Sequence, residues 1–166
     1  MTEKVTIHFI TTGGTIDKVY YDSLSTYQVG DPAISEVLSR SNVTLRYRIT
    51  PLLKKDSNDL TGQDRSLIQE TVLASPEDKI IITHGTDTIT ETGKLLKEVQ
   101  NKTIVLTGSI APAKFTDSDA VFNIGFAVAA VQTLPAGVYV TMNGRIFDPE
   151  RARKSADRTH FEEISG

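Results

Sequence analysis

The chain has 166 residues, 39% of them hydrophobic, which suits one domain with a single core and no metal or disulfide staple. Its 18 Lys and Arg against 21 Asp and Glu give a net charge of −3, so composition disfavours nucleic acid or an anionic membrane as partner. With no cysteine, disulfide scaffolds, thiol nucleophiles, thiolate zinc sites and iron–sulfur clusters are excluded, and covalent chemistry has to use oxygen or nitrogen.

The first apolar stretch, Val5 to Ile10, is too short for a signal h-region, which leads us to expect a soluble, cytoplasmic protein. Val5 to Thr11 reads as a buried first strand running into the turn Thr12-Gly13-Gly14-Thr15. Residues 15–30 carry no clear period. A first helix is expected from Asp31 as N-cap and Pro32 at the first helical position, with Ile34, Val37 and Leu38 on one face. Val43 to Thr50 alternates as a second strand. A second helix follows Thr61, where Thr61 and Asp64 stand at capping-box spacing and Leu67, Ile68 and Val72 form the expected buried stripe.

Ile80-Ile81-Ile82 has the continuous apolar character of a central parallel strand and ends at Thr83-His84-Gly85-Thr86-Asp87. Glu91 to Val99 reads as a helix, Thr103 to Thr107 as a strand ending at Gly108-Ser109, and Pro112 delays the next helix to about Asp117. Ala120 to Val131 is apolar on nearly every face and so needs cover on more than one side. Asn123, Gln132 and Pro135 interrupt the apolar segment 120–140, which argues against a membrane span. Val138 to Met142 is the last firm strand, Arg145 to Phe147 pairs with it across Asn143-Gly144, and Glu150 to Arg158 is highly charged. Alternating strands and helices predict an α/β fold, a mainly parallel sheet with flanking helices, in one domain over residues 1–166.

Three expected strands end in loops rich in glycine and hydroxyls: Thr11 to Thr15, Thr83 to Thr88 and Thr107 to Ser109. Ligands of open α/β sheets bind beyond the carboxyl ends of the strands, so these loops should share one rim. Neither Walker A nor dinucleotide glycine spacing is present, which leaves phosphate binding unsupported. A threonine hydroxyl on the Gly13-Gly14 turn can attack a carbonyl if a base takes its proton, and Thr15 is that candidate. Tyr20, Tyr21, Tyr27, Lys54, Lys55 and Lys154 are the possible acceptors. No Gly-x-Ser-x-Gly elbow occurs. His84, at the end of a buried strand, reads as structural, and His8, His84 and His160 lack metal-ligand spacing, so neither a metal nor a cofactor is expected.

Thr12-Gly13-Gly14-Thr15-Ile16, Ile82 to Thr88, Thr107-Gly108-Ser109 and the stretch from Met142-Asn143-Gly144 to Lys154 resemble, in order, the signatures of bacterial-type L-asparaginases. The resemblance implies the fold of the asparaginase N-terminal domain and an amidohydrolase that converts asparagine to aspartate and ammonia, with glutamine as a poorer substrate. Carried onto this chain, it makes Thr15 the nucleophile, Thr86, Asp87 and Lys154 the second hydroxyl, carboxylate and lysine, and Tyr27 the tyrosine of the flexible loop. Ser57, Asn58, Asp87 and Ser109 become the substrate-binding set, with Asp87 holding the ammonium, Ser57 the α-carboxylate, and Asn58 standing where many members have glutamine.

Longer members add a C-terminal domain that supplies a site acid to a neighbouring subunit, and Gly166 falls near the close of the first domain. Asp17, Tyr20 or Tyr21 is then expected to compensate for that acid. The alternatives are a non-catalytic amino-acid-binding module and a fragment of a longer enzyme. The apolar 120–131 helix points to a homodimer or dimer-based assembly.

Overall fold

Why each residue of a continuous apolar strand is buried becomes clear from the two faces it serves. The structure is a computed structural model describing residues 4–166. In chain order its elements are β1 (Thr6–Gly13), β2 (Lys18–Tyr21), β3 (Thr26–Val29), α1 (Ile34–Arg40), β4 (Arg46–Lys55), α2 (Gly62–Ala74), β5 (Lys79–Thr83), α3 (Ile89–Leu96), β6 (Thr103–Thr107), α4 (Ala120–Thr133), β7 (Gly137–Met142), β8 (Arg145–Phe147), β9 (Ala152–Lys154) and β10 (Phe161–Glu163). Ile80 and Ile82 pack with Ile68 and Val72 of α2 and Leu96 of α3, while Ile81 between them packs with Ile34 and Leu38 of α1 and Ile124 and Ala127 of α4. The sheet is therefore sandwiched between two helical layers, as the near-continuous apolar strands require.

The main sheet runs β4-β1-β5-β6-β7-β8, parallel except for the terminal β7–β8 hairpin. The chain leaves β1 through α1 to reach β4 on one side, then passes through α2 to β5 on the other. Between β1 and β5 the strand order reverses, and a crevice opens there at the carboxyl ends of the strands. The α/β class and the mainly parallel sheet with flanking helices are as the sequence predicts.

Several local expectations are corrected. Residues 18–29, read as aperiodic, form an antiparallel hairpin of β2 and β3 in which Tyr20 faces Tyr27. The first helix is not capped by Asp31: it begins at Ile34 after Ala33, whose N–H donates to the buried Asp17 carboxylate at 2.8 Å. Asp31 instead pairs with Lys54 at the surface. The strand expected at 43–50 runs from 46 to 55, and Pro51 is tolerated because β4 is an edge strand. Leu67 lies outside the buried stripe of α2 and is 40% exposed. The helix expected at 91–99 spans 89–96, and the charged segment after Glu150 contributes the β9–β10 hairpin.

Candidate active site

Glycines allow the strand ends to touch. Gly14 lies at φ 86, and a Cβ there would stand 2.4 Å from the Gly85 nitrogen. A Cβ on Gly85 would stand 2.6 Å from the Ser57 Cβ, and one on Gly108 2.3 Å from the His84 carbonyl oxygen. The loops after β1, β4, β5 and β6 thus meet backbone to backbone, and the three glycine-rich loops do share one rim.

At this rim lies a cavity of about 290 Å³. Thr15 from the loop after β1, Ser57 from that after β4, Gly85, Thr86 and Asp87 from that after β5, and Ile110 from that after β6 line it, together with Lys18 and Asp56. Lys154 at the end of β9 and Arg158 on the β9–β10 loop complete the wall. Thr15, Thr86, Asp87, Lys154 and Ser57, far apart in the sequence, are brought together.

Lys154 Nζ donates to Thr86 Oγ1 at 2.8 Å and to Asp87 Oδ1 at 2.9 Å. The Arg158 guanidinium also donates to Asp87 Oδ1, and Asn58 Nδ2 donates to Asp87 Oδ2 at 2.8 Å. Burial works to raise the Asp87 pKa, but the hydrogen bonds from Lys154 and Asn58 and the charges of Lys154 and Arg158 outweigh it and hold the carboxyl below its ordinary range. Asp56 is engaged in parallel by Lys18 at 3.0 Å. Among the described residues, the Thr15 and Ser57 hydroxyls and the N–H groups of Gly85, Thr86 and Asp87 make no hydrogen bond within the chain. These three consecutive residues line the cavity just before α3, where unpaired N–H groups suit an anion.

His84 is structural, as expected. Fully buried, its Nδ1–H donates to the Gly85 carbonyl at 2.7 Å and its Nε2 accepts from Thr92 at 2.7 Å, which fixes the turn that presents Thr86. Arg65, which the sequence did not single out, braces the same turn through Thr88 Oγ1 at 2.9 Å and the Leu60 carbonyl at 3.1 Å.

Other expected site residues stand apart. Tyr27 lies on the exposed face of the β2–β3 hairpin, its ring 5.2 Å from Tyr20 and 5.9 Å from Phe115, and it does not line the cavity. Tyr20 and Tyr21 are exposed, Asp17 is buried in its bond to Ala33, and none of the three lines the cavity. Ser109 donates to the Ala111 carbonyl at 2.5 Å and leaves the wall to its neighbour Ile110. Lys18 and Arg158, both missed, belong to the cavity; only their charge marks them in the sequence. No group of three or more His, Cys, Asp or Glu side chains able to hold a metal occurs among the described residues, and no helix among them is long and apolar enough to cross a membrane.

Comparison with known proteins places this geometry. The family model described as "Asparaginase, N-terminal" matches residues 6–164. The chain is 29% identical over 165 residues to an L-asparaginase of Bacillus licheniformis, covering 93% of this chain and 50% of that protein. It is 29% identical over 159 residues to a glutaminase-asparaginase of Pseudomonas fluorescens biotype A, covering 87% and 44%. Among solved structures, L-asparaginase I of Vibrio cholerae O1 biovar eltor superposes with a TM-score of 0.85 at 26% identity, over 97% of this chain and 52% of that one. The thermostable L-asparaginase of Thermococcus kodakarensis gives 0.83 at 25% identity, over 96% and 51%. The chain thus spans about half the length, or less, of the curated relatives it matches.

Proposed function

The chain belongs to the asparaginase family, in the part covered by its N-terminal domain, and from that premise we propose that it is an amidohydrolase releasing ammonia from the side-chain amide of asparagine, with glutamine as a poorer substrate. The observation that carries this reading is the convergence of Thr15, Thr86, Asp87, Lys154 and Ser57 on one cavity at the strand-order reversal. A site that only binds an amino acid has no need of two threonines with a lysine bonded to one of them.

In the proposed reaction the Thr15 hydroxyl attacks the amide carbon and yields its proton to the departing nitrogen, which leaves as ammonia. The oxyanion formed on the way is met by N–H groups of the 85–87 turn. The resulting ester on Thr15 is hydrolysed by a water that Thr86 orients, itself held by Lys154. Tyr27 enters this scheme only if the hairpin that carries it moves over the cavity.

We propose further that this one domain suffices for turnover and that it works as a homodimer. The test is ammonia release from asparagine by the purified 166-residue chain and by its Thr15→Ala variant. We expect release by the first and at least a thousandfold loss in a folded second, on the order of magnitude seen when a covalent nucleophile is removed. A folded Thr15→Ala protein with near-normal ammonia production removes Thr15 from its role.

A further inference from the structure

Arg65 stands at the end of the first turn of α2, behind the Thr61–Asp64 cap, and its side chain is only 14% exposed. Nε donates to Thr92 Oγ1 at 3.2 Å, Nη1 to the Leu60 carbonyl at 3.1 Å and Nη2 to Thr88 Oγ1 at 2.9 Å. One planar fork thus ties the loop after β4 to the start of α3, where Thr88 precedes the first helical residue. Glu91, its anionic neighbour at 3.2 Å, is 60% exposed, so that ion pair is screened by water and the three neutral acceptors define the arrangement.

A guanidinium only donates, so a hydroxyl that accepts from it has its own proton to give elsewhere. Thr88 Oγ1 donates to the Ser57 carbonyl at 2.8 Å. Thr92 Oγ1 lies 2.7 Å from His84 Nε2, and His84 Nδ1–H reaches the Gly85 carbonyl at 2.7 Å. Two relays therefore start at Arg65 and end on the backbone of Ser57 and Gly85, the residues at which the two loops touch. A Cβ on Gly85 would stand 2.6 Å from the Ser57 Cβ. Contact of this kind limits how near the loops come but leaves the tilt of the Ser57 peptide free. A hydrogen bond to its carbonyl fixes that tilt, and with it the direction of the Ser57 hydroxyl on the cavity wall. The other tie between the loops, Asn58 Nδ2 to Asp87 Oδ2 at 2.8 Å, is exposed, whereas the bonds of Arg65 are partly buried and less open to competition from water.

We propose that Arg65 is a positioning residue for substrate binding: through Thr88 it sets Ser57, and with it the carboxylate end of the substrate, against the 85–87 turn. Thr15 and the Lys154–Thr86 bond lie outside both relays, so the effect falls on binding and not on the chemical step. The kinetic consequence rests on the amidohydrolase reading above; the placement of Ser57 does not.

Arg65→Met keeps the apolar stem and removes every donor, and Thr88→Val keeps the shape and removes the hydroxyl. Each should raise KM for asparagine about tenfold with kcat within about threefold of wild type. Because both changes cut the same relay, the double variant should exceed either single one by no more than about threefold in KM. Arg65→Lys, which keeps the charge and can reach one acceptor at a time, should recover part of the loss. An unchanged KM in folded Arg65→Met, a fall in kcat larger than the rise in KM, or a double variant whose KM rises by the product of the single effects, about a hundredfold, overturns the proposal.

Amide hydrogen exchange judges the placement without turnover. The Asp59 N–H donates to the Asp56 carbonyl at 2.9 Å and the Leu60 N–H to the Ser57 carbonyl at 3.4 Å, so both report whether the turn at 57–59 stays closed. Exchange at these two positions should quicken about tenfold in Arg65→Met and in Thr88→Val, while that of the buried Ile81 in β5 stays as in wild type. Unchanged exchange at Asp59 and Leu60 defeats the proposal, and so does an equal quickening at Ile81, which marks a general loss of stability. If Arg65→Met does not fold, Thr88→Val carries the same comparison. Absence of ammonia from asparagine with the wild-type chain defeats the amidohydrolase reading instead, and the exchange rates still decide whether Arg65 holds Ser57 in place.

Discussion

Asp17 shows what a single buried carboxyl does near this site. Only 4% exposed, it accepts the Ala33 N–H at 2.8 Å through its side chain and the Gly30 N–H at 2.8 Å through its carbonyl, so it pins both the base of the β2–β3 hairpin and the start of α1. Burial pushes its pKa up to about 7, against the opposing effects of the Ala33 bond and the Lys54 charge. A carboxyl whose folded pKa lies above its unfolded value costs stability as pH rises from about 4 through 7, because only the unfolded chain ionises freely. Asn in its place accepts the same bond without a charge, so Asp17→Asn should be near neutral at pH 3, below the unfolded carboxyl's pKa, and stabilising at pH 8, by on the order of 2–4 kcal/mol. His8 and His84 act in the reverse sense. Burial holds both at about 4, and the stability they contribute is lost as pH falls from 6.5 toward that value. Wild type alone will therefore show a flattened profile, and the difference between wild type and variant in urea unfolding isolates Asp17. An equal difference at both pH values would refute the assignment. Gly85 makes the companion case for geometry at the site. Since a methyl there would lie 2.6 Å from the Ser57 Cβ, Gly85→Ala should cut ammonia release at least tenfold by displacing Ser57, and unaltered kinetics would show that the loops can part.

Among the elements, those with a repeating pattern and a capping signal were legible in the sequence, and those built from distant partners were not. The cap of α2 is an example of the first kind. Thr61 Oγ1 accepts the Asp64 N–H at 3.2 Å and Asp64 accepts the Thr61 N–H at 2.9 Å, so both halves of the box form although the acid is Asp. Asp64 also receives Lys55 at 2.8 Å, and the Lys55 carbonyl accepts the Gly14 N–H at 2.9 Å, which links this cap to the turn beside Thr15. Thr61→Ala should accordingly cost about 1 kcal/mol in urea unfolding, and a loss below a few tenths would show the cap to be redundant. The turn at Asn143-Gly144, with φ values of 55 and 70, was equally readable because the left-handed pair has few alternatives. The start of α1 was misread because its acceptor is Asp17, 16 positions before Ala33, and local spacing cannot report such a partner. The hairpin of β2 and β3 escaped because a two-stranded ribbon with mostly exposed residues carries no apolar alternation. At the site, Thr15 is legible from its glycine turn and Lys154 as one of several possible proton acceptors, whereas Thr86 and Asp87, and the choice of Lys154, come through family motifs. Arg158 was not legible, because its reach to Asp87 depends on the backbone of a loop whose charged residues look like any solvated surface.

At the scale of the whole molecule the open question is what covers α4. Ala120, Ile124, Ala127 and Val131 face the sheet, whereas Val121 and Phe122 on the other side are 53% and 62% exposed. Phe122 stacks with Phe126 at 6.4 Å and rests against the Gly144 turn, where a Cβ would meet its ring at 3.4 Å. Beside Val121 lies a groove of about 400 Å³ with Ala33, Val37 and Ala113 in its wall and Glu36, Arg40 and Lys114 at its edge. Those three charges already pair with one another, Lys114 and Arg40 both on Glu36, so they form a polar rim that need not be broken. The face of α4 through Val121, Phe122, Gly125, Val128 and Ala129 carries no charge. At Gly125 an added Cβ would meet nothing within 4 Å, which leaves space for an aromatic ring to seat. A second copy related by a two-fold axis meets these conditions twice over, each Phe122 lying against the small-residue step or the groove of its partner, with no charge buried. Helix alone is too narrow for the roughly 800 Å² per partner of a stable interface, so the groove and the Gly144 turn have to contribute. Sedimentation at micromolar concentration should then show a dimer for wild type. Phe122→Glu should give a folded monomer whose melting temperature is lower than that of wild type and no longer depends on protein concentration, because the side chain is mostly outside the core of its own chain and only the stabilisation by association is lost. A monomeric wild type, or a Phe122→Glu protein that still dimerises, would place the contact elsewhere and leave this face to solvent.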